Sequence, residues 1–110
     1  MAGRIREVQA VGYSVQIIYF WLPNADLAVE RVAYRVSRGG HDIPEDVIRR
    51  RHLKGWQNFL TIYRPLADTW RVYNNEVFGQ PQLLASSEQK GITEIANAQQ
   101  WAIFEGIYNE

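Results

Sequence analysis

A small α/β domain is the fold class this sequence predicts, and three observations carry it. Residues 14–22 (SVQIIYFWL) are nearly continuous in β-branched, aromatic and aliphatic side chains, which marks a strand covered on both faces. Two helical patterns follow, separated by Gly39-Gly40 and Pro44. A second β-rich run, WRVY at 70–73, comes after them, so strand, helices and strand read as one right-handed crossover. The 110 residues suit one domain, and 46% hydrophobic with 13% aromatic content is enough to fill a core.

In chain order, residues 4–11 are expected to form a weakly amphipathic helix with Ile5, Val8 and Val11 on one side, ended by Gly12. After the 14–22 strand, Asn24 is the expected N-cap of a helix, with Asp26 at the positive end of its dipole. Ala25, Ala28, Val29, Val32, Ala33 and Val36 recur at helical spacing and form its expected inward stripe, and Gly39-Gly40 closes it. Pro44 suits a first helical position, with Glu45 and Asp46 in the first turn. This second helix is expected to run to about Tyr63 and stop at Pro65, with Ile48, His52, Trp56, Phe59, Leu60 and Tyr63 inward. Asn74-Asn75 then reads as a turn and residues 82–85 (QLLA) as the partner of WRVY. Residues 91–107 read as a last helix, with Ile92, Ile95, Ala96, Ala102 and Ile103 inward.

Several classes of function are excluded by composition. The longest apolar run is interrupted by Gln16 and ends at Pro23, far short of the roughly 20 residues of a membrane span. The first 13 residues carry Arg4, Arg6 and Glu7 with no apolar stretch, so no secretory signal is expected and the expected compartment is the cytoplasm. With no cysteine there is no disulfide, thiolate metal site or cysteine nucleophile.

Charge is where the sequence becomes specific. The net charge is zero, yet between 31 and 64 seven Arg and Lys54 stand against Asp42, Glu45 and Asp46, a balance of +5. Ten of the twelve basic residues are Arg, whose planar fork grips phosphate or carboxylate at two points. Arg31, Arg35 and Arg38 share one face of the first long helix, and Arg49, Arg50 and Arg51 lie in the second turn of the next. Helices so joined place several guanidinium groups around one gap, as phosphoryl transfer requires for the charge spread over its transition-state oxygens. The plainer reading is that these arginines are solvated, with Arg35 and Arg38 favouring the helix C-terminus. His41 reads as a loop histidine, and His52 has no carboxylate at ligand spacing, so no metal site is expected. There is no G-x-x-x-x-G-K-[ST] run and hence no triphosphate-binding loop.

Residues 12–75, with the strand ending FWLP, then ERVAYRVSRGGHDIPEDVIRRR, then NFLTIYRPLADTWRVYNN, resemble the C-terminal half of zeta toxin-like P-loop kinases. QPQLLA continues the match. The resemblance implies part of a three-layer P-loop-kinase unit, a few-stranded sheet with packed helices, whose Walker A half is absent. It treats 1–110 as one domain with a lid at about 31–64. It implies that Arg35 and Arg38 are catalytic lid arginines, and that His41, Arg49, Arg51 and Asn74 contact nucleotide or phosphate. It also implies ATP and Mg²⁺ as cofactors only when an N-terminal half complements the chain, which alone is expected to bind neither and to transfer no phosphate. The implied partner is that half, or a second copy, pairing through an open edge of the 14–22 strand. A non-enzymatic module that binds anions or nucleic acid, or associates with other chains, is the alternative. Nucleic acid is disfavoured as a ligand because the aromatic residues fall on core stripes.

Overall fold

The computed structural model describes residues 2–89 and 92–106. In order these form α1 (Ala2–Ala10), β1 (Gln16–Trp21), α2 (Ala25–Ser37) and α3 (Glu45–Asn58). A π-helical turn (Phe59–Tyr63), α4 (Arg64–Leu66), β2 (Thr69–Asn74), β3 (Gln82–Gln89), β4 (Ile92–Ile95) and α5 (Ala98–Gly106) complete the chain. The strands form one mixed sheet in the order β1-β2-β3-β4, with β1 at an edge. β1 and β2 pair in parallel over six unbroken positions, from Gln16 with Thr69 to Trp21 with Asn74, as a helical connection between them allows. β3 and β4 add antiparallel, with irregularities between Val72 and Tyr73 and between Ser86 and Gln89. No helix among the described residues is long and apolar enough to cross a membrane.

Local chemistry explains the crossover. Asn24 caps α2 by accepting the Leu27 N–H at 3.0 Å. At the other end, the Gly39 N–H donates to Val36 O and the Gly40 N–H to Arg35 O, the paired bonds of a glycine-closed helix end. Gly39 sits at φ +93°, and a Cβ on Gly40 would lie 2.9 Å from Arg35 O. Gly39→Ala meets no steric obstacle, so its cost is the left-handed backbone alone, about 1–2 kcal/mol. Chemical denaturation checks this; an unchanged midpoint would show that the turn does not need positive φ.

Helix α3 starts after Pro44, which is its cap rather than its first residue. It was expected to stop at Pro65, but the chain stays helical through Leu66. The π turn makes this possible. The Arg64 N–H bonds back to Phe59 O, and the looser winding just before the proline relieves the clash that its ring causes in a regular helix. The extra residue in the turn also lets the consecutive Phe59 and Leu60 both enter the core.

The core lies between one sheet face and α3, the π turn and α5. Trp21, Phe59, Leu60, Ala67, Trp70, Val72, Leu84, Ala85, Trp101 and Phe104 fill it, with Ile17, Tyr19, Trp56 and Tyr63 packed around them. The Trp56 indole N–H donates to Phe104 O at 2.9 Å and ties α5 to α3. α1 is moored through Gln9, whose side-chain amide donates to Leu66 O and to Asp68, which also accepts the Val15 N–H.

Three expectations are corrected. β1 is not covered on both faces: Ile18 and Phe20 are 47% and 52% exposed, so no helix among the described residues shields both of these side chains. Phe20 instead stacks on Tyr73 at 5.5 Å across the parallel pair. The stripe of α2 is only half-buried and Ala33 is exposed, because this helix packs against α3 rather than into the core. The last helix is shorter than expected: Ile92–Ile95 is a strand, and α5 buries Trp101 and Phe104 while Ile95, Ala102 and Ile103 are exposed. The expected ends of that helix, Gly91 and Ile107, and the side chain of Ile92 lie outside the described residues.

Candidate functional site

A cleft of about 680 Å³ opens at the carboxyl ends of the parallel pair, between β1 and the α2–α3 connection. Tyr19, Phe20 and Leu22 come from the end of β1, and Asn75 follows β2. α2 contributes Arg31, Tyr34 and Arg35; α3 contributes Ile48, Arg51, His52 and Gly55; Ile43 and Phe78 reach in from loops. Three guanidinium groups and an imidazole therefore line the wall, and among the described residues no carboxylate does.

Helical spacing accounts for this selection. Arg31 and Arg35 are one turn apart on α2, and Ile48, Arg51, His52 and Gly55 form one face of α3. Arg38 extends the α2 spacing in sequence but not in space. It is the C-cap, at φ −104° and ψ 17°, and its guanidinium lies 5.1 Å from the Tyr34 ring centre, outside the cleft lining. Arg49 faces elsewhere and bridges the two helices, donating to Asp26 at 2.7 Å and to Glu45 at 3.2 Å. Its hydrogen bonds to Asp26 and then Glu45 raise its already high pKa. His41 is exposed on the loop and does not line the cleft, although Ile43 beside it does. Asn74 is occupied structurally: its amide N–H donates to Gln100 at 3.3 Å and its oxygen accepts the Glu76 N–H at 2.8 Å. Of the six residues singled out, the structure thus brings Arg35 and Arg51 together and leaves Arg38, His41, Arg49 and Asn74 outside the lining.

Other cleft residues were not among the six, and only Arg31 of them carries a signal of a binding role in the sequence. Arg31 donates to Asn75 O at 2.7 Å and Glu76 O at 2.9 Å, which fastens α2 to the loop after β2. It also lies 5.3 Å from the Phe78 ring centre, and Phe78 contacts Tyr34 at 5.7 Å. The i, i+4 relation of Arg31 to Arg35 is visible in the sequence, whereas the place of Phe78, on a loop of Gly, Gln and Pro, is not. Burial pushes the Tyr19 phenol up to about 12, so it stays neutral in the cleft wall. His52 Nε2 lies 2.7 Å from Leu22 O, and its ring meets Trp56 edge-on at 6.1 Å.

No protein-family model, curated protein or solved structure matches the chain.

Proposed function

We propose that this chain is the lid and nucleotide-side portion of a zeta toxin-like, ATP-dependent small-molecule kinase, and that alone it binds phosphate groups without transferring them. One observation carries the reading: Arg35 and Arg51, from the two helices of a crossover, line one carboxylate-free cleft at the carboxyl ends of a parallel strand pair. Open α/β sheets bind ligands at such ends. Paired guanidinium groups lower the energy of charge on phosphoryl oxygens. Tyr34 and Phe78 add an aromatic lip beside Arg31.

The residues present fit phosphate oxygens but offer no carboxylate in the cleft for Mg²⁺. Nor does the chain contain a Walker A lysine or hydroxyl to align the β- and γ-phosphates. Its own residues can therefore bind and orient an anion, which supports dependence on a second polypeptide. Edge strand β1 suits that dependence: it is uncharged, free of proline and in unbroken register with β2. A Walker A-bearing half adding its strand there would complete the site.

The purified chain is expected to show no Mg²⁺-dependent ATP turnover above a protein-free blank. Turnover by the chain alone that disappears in Arg35→Ala would overturn the proposal. Turnover restored by a separately expressed Walker A-bearing half supports the kinase portion. Binding that such a half never converts to turnover favours the non-enzymatic anion-binding module, the reading that the carboxylate-free wall also allows.

A further inference from the structure

His52 stands in the cleft with a geometry that the arginines do not explain. A backbone carbonyl can only accept, so the 2.7 Å contact to Leu22 O places a hydrogen on His52 Nε2 in either protonation state. The neutral ring then has its lone pair on Nδ1, the nitrogen left for a ligand in the cleft. A proton taken up by the ring goes to Nδ1 and converts an acceptor into a charged donor. Because Leu22 immediately follows β1 and Trp56 meets the ring edge-on, both contacts hold the imidazole in place.

The charged and titratable groups that line the cleft with this ring are, among the described residues, cationic or neutral. From α2 come Arg31 and Arg35, from α3 Arg51, from β1 the neutral Tyr19, and from the loop after β2 Asn75. The neighbouring carboxylates Asp26 and Glu45 are held by Arg49, and Glu30 lines an adjoining hollow that shares Arg31, Tyr34 and Phe78 with the cleft. Three guanidinium groups share the cleft lining with His52. An oxyanion between the arginines brings negative charge into that lining. The same ring is then favoured in its charged form, and by linkage the proton favours the anion by the same factor.

We infer that His52 is a proton-dependent ligand of the cleft, donating from Nδ1 to a dianionic oxyanion shared with Arg35 and Arg51, so that binding tightens as pH falls. This rests on the anion-binding reading of the cleft. It adds a ligand and a pH dependence that the arginines, charged throughout, cannot supply.

Inorganic sulfate is the probe, because its charge stays constant while an imidazole titrates between about pH 5 and 8. Calorimetric titration of the full chain is expected to give a dissociation constant about tenfold lower near pH 5.5 than near pH 8.5, equivalent to a one-unit rise in the ring's pKa on binding. His52→Gln, whose amide can still donate to Leu22 O, is expected to bind sulfate with little pH dependence. NMR of the unsubstituted chain gives a second readout, since His41 is the only other histidine and lies outside the cleft. Sulfate is expected to raise the titration midpoint of His52 and leave that of His41 in place. Sulfate binding weakened by Arg35→Ala yet flat with pH, or equally pH-dependent in His52→Gln, overturns the role of His52 and spares the cleft. Binding indifferent to Arg35→Ala overturns the cleft reading itself.

Discussion

The double substitution Arg35→Ala with Arg51→Ala is expected to weaken sulfate or nucleoside diphosphate binding by more than ~100-fold. On the proposed function each guanidinium would make charge-assisted hydrogen bonds to the anion, of about 1.5–3 kcal/mol apiece, and every 1.4 kcal/mol is tenfold. Both residues are exposed and neither contributes to the hydrophobic core, so the unfolding midpoint is expected to stay close to that of the unsubstituted chain. Arg49→Ala is the informative contrast. It removes a guanidinium of the same basic segment, but one already held by Asp26 and Glu45, so it is expected to lower stability slightly and leave affinity unchanged. Calorimetry on the three proteins separates local chemistry from net charge. If Arg49→Ala weakens binding as much as the double substitution, the anion responds only to the overall positive field of residues 31–64, and the cleft has no special standing.

That contrast also shows which parts of the site are legible from spacing. Regular helix geometry carries Arg31 and Arg35 to one face of α2, and a reader of the sequence can place them together. Arg38 obeys the same spacing but occupies the C-cap, where the backbone leaves the helix and the side chain folds onto Tyr34. Arg49 and Arg51 are two apart and diverge by about half a turn, so which of them faces the cleft depends on the packing of α3. Asp26 decides the matter for Arg49 from 23 residues away, a contact that no local pattern encodes.

The fold divides the same way. Turn chemistry at Asn24, Gly39 and Gly40 is local and reads directly. The Pro65 stop does not, because a π turn upstream absorbs the proline. β1 looked doubly covered because Ile18 and Phe20 are as apolar as Ile17 and Tyr19. Composition cannot tell an exposed aromatic pair, here Phe20 on Tyr73, from a buried one.

Phe104→Ala is expected to cost about 3–5 kcal/mol of folding free energy, a large share of the 5–15 kcal/mol typical of such a domain. Phe104 is fully buried, and its ring lies within 5.3 to 6.0 Å of those of Tyr19, Trp21, Trp56, Phe59 and Trp101. It is thus the common member of a cluster joining β1, α3, the π turn and α5. The Trp56 indole donates to its backbone carbonyl, which alanine retains, so the substitution removes ring packing and no hydrogen bond. The neighbouring Ile103→Ala tests the orientation of α5. Ile103 is 53% exposed and should change stability by no more than ~0.5 kcal/mol, whereas the inward stripe expected from helical spacing would make it the costlier of the two. Denaturant midpoints for both variants decide between these rotations, with Phe104→Leu as a milder probe should the alanine variant fail to fold. A larger loss for Ile103→Ala would mean that α5 presents its other side to the sheet, and the aromatic cluster behind Tyr19 would have to be redrawn along with the wall of the cleft it supports.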